Sequence, residues 1–147
     1  MAEARGRRTL GFLLQDSWRL MRRRFVALAK AAELPVNFSE ANVLLHLVYT
    51  EGIAQVSLAT ELDIEPIALV RLLDRLQEAG LIERRLDPDD RRVRRVWLTE
   101  AAAPIVARIA ELTAAVRAEA LSGFGDEEQE ALVAALLCVR VNLAGME

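Results

Sequence analysis

A single cysteine, Cys138, rules out an internal disulfide framework and fits a reducing compartment. The one histidine, His46, has no second histidine or cysteine at ligand spacing, so neither a zinc site nor a Cys–His pair is expected. None of the seven glycines builds a phosphate-cradling loop. The longest unbroken apolar run, Ala131 to Val139, stops at Arg140 and is too short for a bilayer. The arginines near the start are not followed by an apolar stretch of signal-peptide length, so a cytoplasmic protein is expected. Repeats and low-complexity tracts are also missing. The 22 acids leave many carboxylate pairings open, but no other catalytic feature accompanies them. The expectation is a protein that is not an enzyme, with no metal and no cofactor. His46 then reads as a helix residue bonded to backbone or water, and Cys138 as a small apolar residue packed in the last helix.

What remains is one domain, or one compact unit with helical extensions, in 147 residues. The net charge of -3 speaks against a nucleic-acid partner, yet its distribution does not. Met1 to Lys30 holds eight bases and two acids, and Pro66 to Leu98 holds eight arginines and six acids. Local field matters more than the total for contact with DNA. Every base except Lys30 is arginine, which reflects genome composition as readily as phosphate binding.

The stretch from Gln55 to Leu98 carries the plan of the chain. A short helix from about Val56 to Leu62 buries Val56, Leu58, Ala59 and Leu62, and its first residues, Gln55 to Ser57, are either ordinarily capped or face a phosphate. A longer helix follows from Glu65 to Ala79, with Pro66 in a first-turn position and Gly80 just past its end. Leu69, Leu72, Leu73 and Leu76 form its buried stripe, opposite Ile67, Ala68, Arg71, Asp74, Arg75 and Glu78. Arg71 and Arg75 lie four apart and share a face, with small or apolar residues near the N-terminal end that allow close approach to base edges. Taken alone, this is an ordinary amphipathic helix with a solvated face. The hairpin after it shifts the reading: strands Leu81–Leu86 and Val93–Leu98 flank an Asp87-Pro88-Asp89-Asp90-Arg91-Arg92 tip and carry six arginines. So many guanidinium groups suit a wing lying along phosphates with one arginine in a narrow minor groove. Helix, turn, longer helix and arginine-rich hairpin make a winged helix-turn-helix.

The flanks read as helices. Residues before Thr9 form a basic, poorly ordered arm, and Thr9 to about Ala32 is helical with a broad apolar face that includes Leu13, Leu14, Trp18, Met21 and Phe25. That is more apolar surface than one small core uses, so part of it is expected to pack on a second subunit. Ser39 should cap a helix to about Tyr49, and Thr99 a long one to about Leu121 in which Pro104 loses the bond to the Glu100 carbonyl. Asp126 should cap a last helix with a stripe of Leu132, Val133, Leu136, Leu137 and Leu143, and the helices at the two chain ends then form one shared bundle.

Three motifs carry a family resemblance: I-E-P-I-A-L-V-R-L-L-D-R-L-Q-E-A-G-L-I-E-R-R, the wing D-P-D-D-R-R, and V-W-L-T leading out of it. In these the chain resembles the MarR family of bacterial transcription regulators, and within it the SlyA-like branch. With the flanking helices the resemblance covers nearly the whole chain. It implies a mainly α fold with a small β-hairpin wing, the winged helix-turn-helix of residues 37–98 being inserted in a helical dimerisation region of residues 1–36 and 99–147. It also implies a homodimer on double-stranded, pseudo-palindromic operator DNA, a repressor by the family's habit. Arg71 takes the major-groove position, Arg92 the wing tip and Asp90 the acid that orients the wing. Ser57, Ile67 and Ala68 join the interface, with Arg75 and Arg91 on phosphates. Pro66-Ile67-Ala68 departs from the polar residues usual there, so base preference does not transfer. The resemblance further implies a small aromatic or carboxylated effector, here near Trp18, Arg22 and His46. A redox switch at Cys138 is disfavoured by its apolar surroundings. The alternative is a winged-helix module for protein partners, which the acidic total would suit.

Overall fold

The computed structural model describes residues 9–145, so the basic arm expected before Thr9 lies outside the described residues. Six α-helices and a three-stranded sheet follow one another: α1 Leu10–Ala31, α2 Phe38–Thr50, β1 Ile53–Ala54, α3 Gln55–Glu61, α4 Pro66–Glu78, β2 Ile82–Leu86, β3 Arg94–Leu98, a 3₁₀ turn Glu100–Ala102, α5 Ala103–Ala120 and α6 Asp126–Ala144. The sheet is antiparallel in the order β1-β3-β2, with Arg84 opposite Val96 and Ile53 opposite Val96 on the other side. Sequence reading missed β1, because two residues are too few to show alternation.

The helix ends show how local chemistry sets the boundaries. Asn37, not Ser39, caps α2: its side chain accepts from the Glu40 N–H at 3.0 Å while the Glu40 carboxylate accepts from the Asn37 N–H at 2.9 Å. At the end of α4, Gly80 takes a φ of +72°, and the Leu81 N–H reaches the Leu76 carbonyl at 2.9 Å. Thr99 does not cap the helix after the wing; its hydroxyl donates to the Gly80 carbonyl at 2.6 Å, pinning the end of β3 to the end of α4. Because a 3₁₀ turn precedes α5, Pro104 falls in that helix's first turn, where its missing N–H costs nothing. Asp126 is the first residue of α6, and its cap is Gly125, whose N–H donates to Glu128 at 2.8 Å.

One core joins these pieces. Leu44 and Leu47 of α2, Leu58 of α3, Leu69, Leu73 and Leu76 of α4, Ile82 and Val96 of the sheet, and Ile109 of α5 are all fully buried. Phe25 of α1 closes the core, edge-on to Phe38 at 5.6 Å, and Arg24 of α1 pairs with Glu119 of α5 at 2.6 Å. The expected stripe of α4 is buried as read; Val56, expected inside, is 77% exposed at the start of α3. α6 has no buried residue at all, and Cys138, expected to be packed, is exposed on it.

Candidate nucleic-acid interface

α4 presents its polar face outward. Glu65 and Pro66 begin it without a side-chain cap, and Ile67 near its start is 72% exposed. Ala68 and Arg71 are exposed on the same helix, and Arg71 makes no hydrogen bond or ion pair among the described residues. Ser57, in the first turn of α3, is exposed as well, and no side chain caps that helix. Arg75 differs: its Nε donates to Glu40 of α2 at 2.8 Å, so in the free protein this arginine is already engaged.

The wing is braced from within. Asp87 is one of two buried acids among the described residues, and its Oδ1 accepts the N–H groups of Asp89 at 2.8 Å and Asp90 at 3.0 Å, folding the tip back on itself. Its Oδ2 accepts Arg95 Nε at 2.5 Å, and Arg95 Nη1 continues to the Gly52 carbonyl at 2.9 Å, joining tip, β3 and the entry to β1. Those bonds, with Arg95 first, hold the Asp87 carboxyl below the usual carboxylate range. Gly52 itself must be glycine, since its φ is +81° and a Cβ there would meet the Trp97 ring at 2.8 Å. Asp90 accepts the Arg92 N–H at 3.0 Å and its guanidinium at 3.1 Å, and Arg92 is left 91% exposed at the tip. The bonds from Arg92 also lower the Asp90 pKa.

The six hairpin arginines therefore divide. Arg84 donates to Gln77 at 2.8 Å and Asp74 at 2.6 Å, fastening β2 to α4. Arg85 bonds Glu83 and lies over the Trp97 ring at 5.0 Å, while Arg95 belongs to the Asp87 brace. Arg91, Arg92 and Arg94 are exposed, and only Arg92 among them is held by an acid. The count of arginines in the sequence pointed to a DNA-facing wing as a whole; three of the six serve the hairpin's own architecture.

Residues 34–93, from the end of the first turn region to the wing tip, match a family model described as MarR family. Over these 60 of the 147 residues the chain is similar to the MarR family. The likeness to solved structures extends over the terminal helices. A mutant MarR from E. coli complexed with operator DNA is 27% identical, with a TM-score of 0.74 over 88% of this chain and 92% of that one. The transcriptional repressor CouR, bound to a 23-mer DNA duplex, is also 27% identical, with a TM-score of 0.76 over 90% of this chain and 92% of that one. A MarR transcriptional regulator from Methanosarcina mazei superposes with a TM-score of 0.85 over 94% of this chain and 98% of that one, and at 21% identity that match bears on the fold. The mainly helical, winged-helix architecture is the one these solved structures share.

Within this fold the three expected effector residues separate. Trp18 and Arg22 line a cavity of about 170 Å³ between α1, α2 and α5, whose walls include Phe25, Phe38, Leu45 and Ile109. Trp18 meets Phe38 edge-on at 5.8 Å, and the Arg22 guanidinium sits 4.9 Å over the same ring. His46 does not join them. Its Nε2 lies 2.6 Å from Glu61 Oε2, tying α2 to α3, because that face of α2 turns toward the short helix. Two residues that shape the interface escaped sequence reading. Asp87 carried a detectable signal, an aspartate followed by turn residues two and three positions on, whereas Glu40 lies 35 residues from Arg75 and carried none. No helix among the described residues is long and apolar enough to cross a membrane.

Proposed function

We propose that this chain is a dimeric DNA-binding transcription regulator, reading a pseudo-palindromic operator with half-sites about one helical turn, roughly 34 Å, apart. The observation that carries the reading is the pairing of an unengaged Arg71 on the outer face of α4 with an internally braced wing that leaves Arg92 outside. α4 enters the major groove, with Ile67 and Ala68 allowing close approach and Arg71 reading a base edge. Arg92 enters the minor groove, oriented by Asp90, with Arg91 and Ser57 on phosphates. Duplex DNA as the partner is supported by MarR and CouR, which are bound to DNA and 27% identical to this chain.

The second copy is called for by α6 and the start of α1. Leu10, Leu13, Trp18, Leu136, Leu137 and Leu143 are exposed on these helices, a larger apolar surface than single subunits ordinarily leave in water. The cavity beside Trp18 and Arg22 is apolar with a guanidinium at its edge, chemistry that suits a small aromatic carboxylate as effector. Repression of a target gene follows the family's habit.

The test is binding of operator fragments selected from genomic DNA, set against random duplex over a salt series. Arg71→Ala should lose about 1–3 kcal/mol of discrimination while keeping most non-specific affinity. Equal loss on both duplexes would reduce Arg71 to a phosphate contact, and an affinity insensitive to salt would favour a protein partner instead.

A further inference from the structure

Asp87 and Glu40 are the buried acids among the described residues, and Glu40 performs for α4 a service comparable to that of Asp87 in the wing. Glu40 uses both oxygens: Oε2 closes the capping box on the Asn37 N–H at 2.9 Å, and Oε1 takes Arg75 Nε at 2.8 Å. The Glu40 side chain is 11% exposed and that of Arg75 51%, so the bond is anchored at its buried end. Arg75 stands one turn beyond Arg71 on the same helix face. It also lines a groove between α1, residues 34–39 and α4 together with Arg22 and Lys30, and no acid lines that groove. Arg22 rests on Phe38, and Lys30 has no acidic partner among the described residues. Without the charge of Glu40, repulsion from these two cations would drive the Arg75 guanidinium outward.

We propose that Glu40 is a positioning residue for DNA recognition: it withholds Arg75 from phosphate and makes it a strut between α2 and α4, setting the angle at which Arg71 meets a base. This rests on the DNA-binding reading above. A charge-assisted bond to a carboxylate fixed by a capping box and shielded from water is stronger than the same contact made in solvent. Arg75 therefore stays with Glu40 when DNA arrives, and the strut keeps its length.

The test uses the full chain, a selected operator fragment, a random duplex and a salt series, with Glu40→Gln, Arg75→Met and the double variant. Glutamine keeps an acceptor for the Asn37 N–H and so preserves the capping box. Glu40→Gln should lose about tenfold in discrimination, the scale of one charge-assisted hydrogen bond. Its plot of log affinity against log salt should steepen by about 0.9, the mark of one added phosphate contact by the freed Arg75. Arg75→Met should lose discrimination with the slope of the parent, and the double variant should lack the added slope. A slope shallower by about 0.9 in Arg75→Met would put Arg75 on phosphate and overturn the proposal, as would a Glu40→Gln protein with parental slope and discrimination. Should Glu40→Gln fail to fold, Arg75→Met alone decides. Failure of the parent protein to bind any duplex at low salt would remove the DNA reading itself, a result distinct from each of these.

Discussion

The winged-helix core and the helices at the chain ends draw on the same residue types and meet opposite fates. Leucines 44, 47, 58, 69 and 73 are fully buried, whereas Leu132, Leu136, Leu137 and Leu143 of α6 stand in solvent within the single chain. The difference lies in partners, not composition. α4 sits between α2, α3 and the sheet, so its leucine stripe is enclosed on every side. α6 follows a turn at residues 121–125 and buries none of its own residues against the described part of the chain. Polar groups follow the same division. In the winged region buried acids carry two or three bonds each, while the ion pair of Arg24 with Glu119 on the helical side is half exposed and contributes little. The winged-helix region is finished inside one chain, whereas the exposed stripe of α6 is what the proposed second copy would cover.

The strongest test of that contrast is Leu73→Ala, which should cost about 2–5 kcal/mol in denaturant unfolding because the enclosed site cannot collapse around the lost atoms. Glutamates at Leu136 and Leu137 should change subunit stability far less, within about 0.5 kcal/mol each, yet shift sedimentation from dimer toward monomer. A cost for the α6 pair equal to that of Leu73 would mean that α6 is packed within its own chain. The finest distinction comes from pH. Asp87 titrates below its unfolded value, so its contribution is fully present above the ordinary carboxylate range and is lost as pH falls through the lowered folded value. Trp97, packed against Gly52 at the base of the wing, should report that loss by fluorescence in strong acid. Asp87→Asn should bring the wing's change to milder pH or abolish it, while far-UV helix content holds; an unchanged Trp97 profile would deny Asp87 the bracing role.

Much of this could be read in advance where periodicity or a motif speaks locally. The boundaries of α4 followed from Pro66 and Gly80, and its buried stripe from the spacing of Leu69, Leu72, Leu73 and Leu76. The hairpin followed from its turn residues. Reading failed where the partner is distant or the signal short. Ser39 was read as the cap of α2, and the reciprocal bonds between Asn37 and Glu40 put the cap two residues earlier. His46 was grouped with Trp18 and Arg22 through the family resemblance and its place on the second helix, and the rotation of α2 sends it to Glu61. Val56 looked like core in a short apolar pattern, but a seven-residue helix buries only one narrow side.

By itself the sequence determined the kind of protein: helical periods, turn chemistry and the wing motif are local properties, and each is written in neighbouring residues. Only the tertiary structure decided which charges are left free at the surface. Arg71 and Arg75 are indistinguishable along the chain, four residues apart on one helix face, and the fold leaves the first open and gives the second to Glu40. Likewise the sequence set Arg92 apart at the wing tip but said nothing of Arg95, which the fold gives to Asp87. The reason is physical: a helix period says which residues point together, whereas the partner that claims a guanidinium comes from elsewhere in the chain and is set by packing.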